Sequence, residues 1–220
     1  MLELLAPAGN LDAVIAAVQN GADAVYMGFG DGFNARRSAD NFTRESFAKA
    51  VRYCHIRGCK VYVTLNTLVG DREMDAAAAL AQQASDAGAD AILVQDLGLA
   101  RVLRAALPDI PLHASTQMSI HNLAGVEAAA EMGITRAVLA RELSLEQIRF
   151  ISQHASIETE VFVHGALCFC HSGQCYMSAL IGRRSGNRGA CAQPCRMQYS
   201  MGGRMDEYPL SPVSYTHLTL

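Results

Sequence analysis

Four cysteines in the last third of the chain have a spacing that suits metal binding. Cys168, Cys175, Cys191 and Cys195 follow a C-x6-C-x15-C-x3-C pattern, and Cys170 lies between the first two. Thiolates hold either a tetrahedral zinc ion or an iron–sulfur cluster. The wide gaps fit a cluster drawn from separate loops better than the tight knuckles of zinc sites. Zinc and metal-free thiols stay open as alternatives, although the Gly, Ser, Gln and Pro neighbours differ from those of a core cysteine.

The same stretch is a cationic segment in an otherwise acidic protein. The 220-residue chain has a net charge of −3, yet residues 161–205 contain no Asp, Glu or Lys. They contain five arginines, which are Arg183, Arg184, Arg188, Arg196 and Arg204. The planar guanidinium fork suits bidentate recognition of phosphate or carboxylate. We therefore expect an anionic partner, and we predict that Arg188 and Arg196 bind substrate.

The sequence lacks the motifs of several classes of enzyme. There is no HExxH helix, no GxSxG elbow and no GxxxxGK[ST] phosphate loop. No run of about 18 apolar residues could span a membrane, and the N-terminus lacks the basic and long apolar regions of a signal peptide. We expect a cytoplasmic protein, in which seven cysteines are thiols or metal ligands rather than disulfides. Cys54 and Cys59 are expected to pack in the core.

Apolar, β-branched runs alternate with Ala-rich segments of helical period along the first 163 residues. Strands are predicted at residues 3–6, 24–27, 60–65, 91–94, 112–115, 136–140 and 160–163. Helices are predicted at residues 11–19, 44–55, 73–87, 99–106, 124–131 and 145–154. This order predicts an α/β fold, an incomplete TIM-like (β/α)8 barrel followed by the cysteine-rich, arginine-rich segment. A doubly wound sheet is the alternative.

The domain organisation follows from this count of units. Residues 1–164 are predicted to form a βα barrel of about seven units that lacks its last unit, and residues 165–211 a cluster-binding segment. Residues 212–220 carry neither a strand nor a helical pattern. We expect this tail to be unstructured, to be an artefact and to supply no site residue.

Polar residues follow the predicted strands, where barrel enzymes build their active sites. Asn66, Gln95 with Asp96, Ser115 with Gln117, Arg141 with Glu142, and His164 all fall at these strand ends. Of these we predict that Asn66, Gln117, Arg141 and His164 are catalytic. The long connection at residues 29–42 adds Asn34 and Arg36 as predicted substrate-binding residues. The alternatives are that the strand-end residues are polar only because loops usually are, and that residues 29–42 form a solvated surface loop. His164 would then be a structural histidine.

The cysteine-rich stretch resembles a known family. EVFVHGALCFCHSGQCYMS at residues 160–178 resembles the signature of the collagenase-like peptidase family U32, and NRGACAQPCR at residues 187–196 is similar to its downstream cysteine block. LLAPAGN, NGADAVYMG and FNAR also resemble family segments. The likeness extends over residues 2–211. The family would be expected to continue beyond this point with a further region.

The resemblance implies two different activities. Some members are described as collagenases. Others take part in oxygen-independent or prephenate-linked hydroxylation of a tRNA wobble uridine, a cytidine of large-subunit rRNA or a ubiquinone precursor. These carry a 4Fe-4S cluster on four cysteines, which by position implies Cys168, Cys175 and Cys191 here. Cys195 is the implied fourth ligand, although in some members the fourth comes from farther downstream.

Hydroxylation of an RNA base fits the residues better than peptide cleavage. A peptidase needs an activated nucleophile or a metal-bound water, and the sequence shows neither arrangement. An acid-free, arginine-rich segment beside a redox cluster suits tRNA or rRNA, with prephenate as a possible co-substrate. A peptidase acting on a protein substrate and a non-catalytic assembly factor are the alternatives. The sequence carries no signal for an oligomeric state.

Overall fold

A computed structural model describes residues 2–30, 32–35, 41–165, 168–202, 204–208 and 210 of the chain. Arg36, a predicted substrate-binding residue, and the predicted tail at residues 212–220 lie outside the described residues.

Strands and helices alternate through the first 160 residues. The strands are β1 Leu5–Pro7, β2 Ala24–Met27, β3 Lys60–Leu65, β4 Ala91–Val94, β5 Leu112–Ala114, β6 Arg136–Val138 and β7 Glu158–Glu160. The helices are α1 Leu11–Gln19, α2 Arg44–His55, α3 Met74–Asp86, α4 Leu97–Ala106, α5 Leu123–Glu131 and α6 Leu145–His154. The six predicted helices and the first six predicted strands are present, with boundaries that differ by a few residues.

The seven strands form one sheet in sequence order, and each neighbouring pair is parallel. In a flat sheet β1 and β6 would lie five strand spacings apart, about 24 Å. Yet Arg136 Nη1 at the start of β6 contacts Glu3 Oε1 just before β1 at 2.5 Å. The sheet must therefore curl strongly, which confirms the predicted incomplete βα barrel.

The helices cover the outer face of this curled sheet. In α2 the buried residues are Phe47, Ala50, Val51 and Cys54, the spacing of one apolar helical stripe. The ring of Phe47 lies 4.7 Å from that of Phe29, between their centroids. Cys54 and Cys59 are both buried in this cluster, as predicted.

Side-chain caps fix where these helices begin. Asn10, Thr43, Asp96, Asn122 and Ser144 each accept a backbone N–H from the first turn of α1, α2, α4, α5 and α6. Each such cap stabilises a helix by about 1 kcal/mol. The caps at Asp96 and Asn122 explain why α4 and α5 begin earlier than the sequence pattern predicted.

An ion-pair network around the buried Arg136 lies at the amino-terminal end of the curled sheet. Arg136 is joined to Glu3, to Glu158 at 2.6 Å and to Glu160 at 3.5 Å. Glu3 also accepts hydrogen bonds from Lys60 and from the Tyr62 hydroxyl. Burial acts to raise the pKa of Glu3, but the hydrogen bonds from Arg136, Lys60 and Tyr62 lower it to about 2.

The predicted position of the seventh strand is wrong. The prediction placed it at residues 160–163, whereas β7 is Glu158–Glu160 and pairs with Arg136–Val138. The apolar run Val161–Val163 resembles a buried strand, yet these residues are exposed. The acidic residues Glu158 and Glu160 belong to the strand because Arg136 compensates their charge.

The chain after β7 folds over the carboxyl ends of the strands. It contains the short helix α7, Met177–Gly182, and an antiparallel hairpin of β8, Tyr199–Met201, and β9, Arg204–Glu207. Among the described residues, none of the helices has the length and apolar character needed to cross a bilayer.

Candidate site at the carboxyl ends of the strands

Two of the predicted catalytic residues meet directly at the carboxyl ends of the strands, which form the mouth of the curled sheet. Gln117 Nε2 donates to the backbone oxygen of Asn66 at 3.1 Å. Asn66 Nδ2 donates to Ser115 Oγ at 3.3 Å. Asn66 follows β3 and Gln117 follows β5, so both lie at the carboxyl edge of the sheet. Their side chains belong to one hydrogen-bonded polar surface there.

The loop after β2 is tied to this surface. Asn66 Oδ1 accepts the backbone N–H of Ala35 at 2.9 Å, and Asn34 Nδ2 donates to Asn41 Oδ1 at 2.7 Å. Asn34 is buried, and its position leaves no room for a side chain at Gly28. The predicted substrate-binding Asn34 thus lies beside the predicted catalytic Asn66.

Ser172 connects the cysteine-rich segment to β6. Its side chain is fully buried, and its hydroxyl donates to Glu142 Oε2 at 2.9 Å and accepts from Arg141 Nε at 3.2 Å. Burial acts to raise the pKa of Glu142, but hydrogen bonds from Ser172 and His171 lower it overall. The predicted catalytic Arg141 is therefore held at the mouth by a residue that the sequence analysis did not single out.

Two glycines let the segment approach the mouth closely. Gly173 has a φ of +70°, and a Cβ there would stand 2.0 Å from the backbone oxygen of Gln117. Gly189 has a φ of +74°, and a Cβ there would stand 2.0 Å from the backbone oxygen of Asn34. Only glycine fits both the backbone conformation and the space, so Gly173 and Gly189 allow the segment to pack against the mouth.

The cysteines of this segment affect one another electrostatically. Burial raises the pKa of the Cys195 thiol, and the nearby thiols of Cys168 and Cys191 raise it further. Burial also raises the pKa of Cys170, helped by Cys175, to which it is hydrogen bonded. Cys191 Sγ accepts the backbone N–H of Gln193 at 3.3 Å. Cys195 is thus near Cys168 and Cys191, and Cys170 is near Cys175.

The donor set fits a thiolate-ligated metal group better than a hard cation. It offers several sulfurs, while residues 161–205 carry no carboxylate that would favour a hard cation. Among the described residues, no three His, Cys, Asp or Glu side chains are drawn together tightly enough to hold a metal ion. A bound cluster would have to bring these sulfurs closer, and its positive iron ions would lower the pKa of the Cys195 thiol, which burial now raises.

The predicted substrate-binding arginines have different surroundings. Arg188 makes a two-point ion pair with Glu73, at 2.8 Å and 2.6 Å, and also donates to the backbone oxygen of Leu68. It therefore fastens the segment to the turn before α3. Arg196 lies near Cys195, where its positive charge favours the thiolate.

The predicted catalytic His164 lies four residues beyond the end of β7. It is exposed and follows three exposed residues, because β7 ends at Glu160 rather than at Val163. The end of β7 therefore does not position this side chain in the mouth. Its catalytic role stays a prediction.

A cavity of about 480 Å³ opens between the ends of β4 and β5 and the cysteine-rich segment. Polar groups of Gln95, Asp96, Gln117 and Asn187 line it, and Tyr176 stands at its exposed side. Gln95 Nε2 donates to the backbone oxygen of Gln117 at 3.4 Å. Within the described part of the chain, the buried Gln95 Oε1 has no hydrogen-bond partner.

Part of this arrangement has no clear signal in the sequence. Gln95 and Asp96 were recognised as strand-end residues but were not predicted to be site residues. Ser172 and Glu73 gave no signal, because a serine in a loop and a glutamate before a helix are common. Their importance depends on partners that are 30 and 115 residues away along the chain.

Comparison with known sequences gives a consistent family. The profile of peptidase family U32 matches residues 9–217. The chain is 44% identical over 200 residues to the Escherichia coli 23S rRNA 5-hydroxycytidine C2501 synthase, covering 91% of this chain and 30% of that protein. It is 41% identical over 199 residues to the Bacillus subtilis tRNA hydroxylation protein P1, covering 90% and 47%.

Two further similarities complete the comparison. A Porphyromonas gingivalis collagenase is 36% identical over 211 residues, covering 90% of this chain and 50% of that protein. The solved structure of the U32 peptidase Mk0906 matches with a TM-score of 0.66 and 16% identity, covering 99% of this chain and 84% of that one. The chain thus spans about a third to a half of the length of these curated relatives.

Proposed function

The chain belongs to peptidase family U32, and from this premise we propose that it hydroxylates a base in tRNA or rRNA with an iron–sulfur cluster. One observation carries the proposal. Cys175, a predicted cluster ligand, lies between Gln174 and Tyr176, and both of these line the cavity at the mouth. A redox group on the cysteines would therefore border the space that a small planar substrate can enter.

The net reaction defines what the protein must bind. A C–H bond of the base is replaced by C–OH, so the base loses two electrons and gains one oxygen atom. A co-substrate that donates this oxygen must itself be reduced by two electrons. We propose a hydroxylated carboxylate such as prephenate for this role, because the guanidinium of Arg141 provides a positive charge at the mouth.

The cluster would be held by Cys168, Cys175, Cys191 and Cys195, and when bound it would supply one-electron transfer. The remaining site residues would position the reactants. Gln117 lines the cavity and its side chain donates to the backbone oxygen of Asn66, which in turn accepts the backbone N–H of Ala35 next to Asn34. Asn34 and Arg36 are proposed to bind the substrate. We place this activity in the cytoplasm, where thiols stay reduced and RNA is available.

Peptide hydrolysis is the second candidate, and it is favoured by the relative named as a collagenase. The site gives it little chemical support. Of the described residues that line the cavity, the single titratable acid is Asp96, and none is His or Cys. Both Asp96 oxygens accept backbone N–H groups, from Leu99 at 2.9 Å and Val69 at 3.2 Å.

Anaerobic purification followed by iron and sulfide analysis tests the cluster. We expect brown protein, and we expect Cys168→Ser, Cys175→Ser, Cys191→Ser and Cys195→Ser each to lose most of the iron. Cys170→Ser is the matched control in the same segment and should retain it. Equal iron loss in the control would contradict the proposed ligand set.

Mass spectrometry of nucleosides tests the reaction. The chain is expressed in cells that lack their own U32 proteins, and their tRNA and rRNA are digested. We expect one pyrimidine nucleoside to gain one oxygen atom, and the four ligand variants to abolish this gain. Colourless, iron-free protein that cleaves gelatin and leaves RNA unchanged would support the peptidase instead.

A further inference from the structure

Cys170 is the one cysteine of the cysteine-rich segment to which the proposed function gives no role. It is partly exposed, and its thiol is hydrogen bonded to that of Cys175, which is partly exposed as well. Thiols that oxidise selectively are accessible and stand next to a second cysteine that can take up the oxidised sulfur. The two residues therefore have the features of a reversible disulfide.

A tight turn lies between Cys170 and Cys175. The backbone N–H of Gln174 donates to the backbone oxygen of His171 at 3.3 Å, which closes the four-residue turn. Gly173, the third residue of this turn, has a φ of +70°, as a type II turn requires. Residues that flank a tight turn face each other with Cα atoms about 5 Å apart, within the range of about 4.4–6.8 Å found for disulfides.

The turn is fixed to the barrel. Ser172 is fully buried, and its N–H and hydroxyl donate to the carboxylate of Glu142 at 3.1 Å and 2.9 Å. Gly173 packs on the backbone of Gln117 so closely that no side chain fits between them. Because the turn is held in place, the two thiols on either side of it are also held together, and neither has to search for the other.

A second pair of thiols shows what exposure contributes. Cys54 and Cys59 are also hydrogen bonded to each other, but they are 0% and 2% exposed in the core. A peroxide dissolved in water does not reach them in the folded protein. Of these two contacting pairs, the surface pair should therefore oxidise while the core pair stays reduced.

We propose that Cys170 and Cys175 form a peroxide-sensitive disulfide, in which Cys170 protects Cys175 from irreversible oxidation. Hydrogen peroxide converts the Cys175 thiol to a sulfenic acid and releases one water, and the Cys170 thiol condenses with this acid and releases a second water. Two S–H bonds and the O–O bond break, and one S–S bond forms. The sulfurs lose two electrons, which the peroxide takes up. Without Cys170 the sulfenic acid would proceed to the sulfinic acid, which thiol reductants do not reverse.

The disulfide has a consequence for cluster loading, because Cys175 can bind iron or the second sulfur but not both. The disulfide itself is independent of the proposed function, whereas this consequence rests on it. A thiol reductant splits the disulfide and makes the ligand available again. Disulfides of cytosolic proteins are usually transient and redox-sensing, which agrees with a reversible modification of this kind.

Peptide mapping of the 220-residue chain tests the disulfide. The chain is treated with a chelator and then with hydrogen peroxide, unfolded, alkylated without reduction and cut with chymotrypsin. Cleavage after Phe169 and Tyr176 gives CHSGQCY, which contains both surface cysteines and no other. Cleavage after Tyr53 and Tyr62 gives CHIRGCKVY, which contains the core pair as a matched control. We expect the first peptide to be unalkylated and lighter by about 2 Da, and the second to be alkylated twice.

Two variants test the protective role of Cys170. In Cys170→Ser, peroxide should add two oxygen atoms to Cys175, about 32 Da, and a reductant should not remove them. Cys191→Ser changes another cysteine of the segment and should still form the disulfide. Alkylation of both Cys170 and Cys175 after peroxide, a bridge from Cys170 to Cys168, or equal oxidation of the core pair would overturn the proposal.

Reloading with iron and sulfide separates this proposal from the proposed function. The disulfide form should lose most of the iron uptake of the reduced chain and regain it after treatment with dithiothreitol. Cys170→Ser should take up iron before peroxide and lose this ability permanently after it. Full iron uptake by the disulfide form would contradict its effect on loading. A chain that forms the disulfide but never takes up iron would support the disulfide and contradict the proposed cluster.

Discussion

His113 shows how single residues in the barrel interior depend on their environment. It lies on β5 and is 4% exposed, with its ring edge-on to Tyr62 at 4.9 Å between centroids. Burial lowers the pKa of His113 to about 3, and the positive charges of Arg136 and Lys60 act in the same direction. In the folded protein this imidazole is therefore neutral at ordinary pH.

The pH dependence of stability follows from this shift. An unfolded His113 takes up a proton below about pH 6.5, whereas the folded one resists it down to about pH 3, so stability is lost as pH falls through this range. His113→Phe removes the loss while keeping the ring contact. We expect the unfolding free energy of the variant, relative to wild type, to rise by up to about 3 kcal/mol between pH 7 and pH 4.

Urea unfolding at several pH values measures this effect. His164→Phe, the same substitution at an exposed position, is the control. Parallel curves for wild type and His113→Phe would show that His113 does not stay neutral.

At the scale of elements, Arg136 joins strands that the backbone hydrogen bonds do not join. It starts β6, and it binds Glu3 beside β1 as well as Glu158 and Glu160 of β7. Its 9% side-chain exposure means that the charges are held away from most of the solvent. The network thus ties the two edges of the curled sheet across its interior.

Arg136→Met should destabilise the fold by about 3–5 kcal/mol, because it leaves the largely buried carboxylates of Glu3 and Glu160 beside each other with Lys60, on Glu3, as the remaining cation. Adding Glu3→Gln to this variant should restore part of the loss. Urea unfolding gives the free energies, and hydrogen exchange should show the largest change in β1 and β7. Arg101→Met, on the exposed side of α4, is the control. A cost similar to that of the control would mean that the network does not hold the sheet.

The packing of the cysteine-rich segment against the barrel is a second property of the elements. Gly173→Ala introduces a Cβ against the Gln117 backbone at a φ that costs a non-glycine residue about 1–2 kcal/mol. We expect faster hydrogen exchange and faster proteolysis in residues 168–200, with the barrel strands unchanged. Gly182→Ala, at the end of α7 with open space around it, is the control. Unchanged hydrogen exchange and proteolysis in Gly173→Ala would contradict the role of Gly173 in this packing.

For the whole molecule, the separation of charge is the feature most relevant to RNA. Residues 161–205 carry five arginines and no acid, while residues 1–160 have a net charge of −6. Arg188 is already paired with Glu73, but Arg183 and Arg184 are exposed on the segment. Contact with phosphates therefore depends on one face of the molecule rather than on its overall charge.

Salt dependence of binding to short single-stranded RNA measures these contacts. Each neutralised phosphate contributes about −0.7 to the slope of log K against log salt concentration. Arg183→Gln with Arg184→Gln should reduce the slope by up to about 1.4 and weaken all sequences alike. Arg52→Gln with Arg149→Gln, exposed on α2 and α6, is the control pair. Equal slopes for both pairs would contradict a localised RNA face.

The sequence by itself determined the α/β alternation, the parallel order and the family. These follow from periodicity along the chain and from the spacing of Cys168, Cys175 and Cys191, which are local patterns. The strand-end position of Asn66 and Gln117 was also predictable, because parallel strands present their carboxyl ends at one edge.

Only the tertiary structure decided which side chains are paired and which are available. Arg188, a predicted substrate-binding residue, pairs with Glu73, which lies 115 residues away along the chain. The boundary of β7 depends on Arg136, which compensates acidic residues that look unsuitable for a buried strand. Gln95 became notable through the acceptor that its neighbours leave unpaired in the described residues. Such properties depend on the curl of the sheet, which sets distances between residues far apart in sequence and leaves no trace in local periodicity.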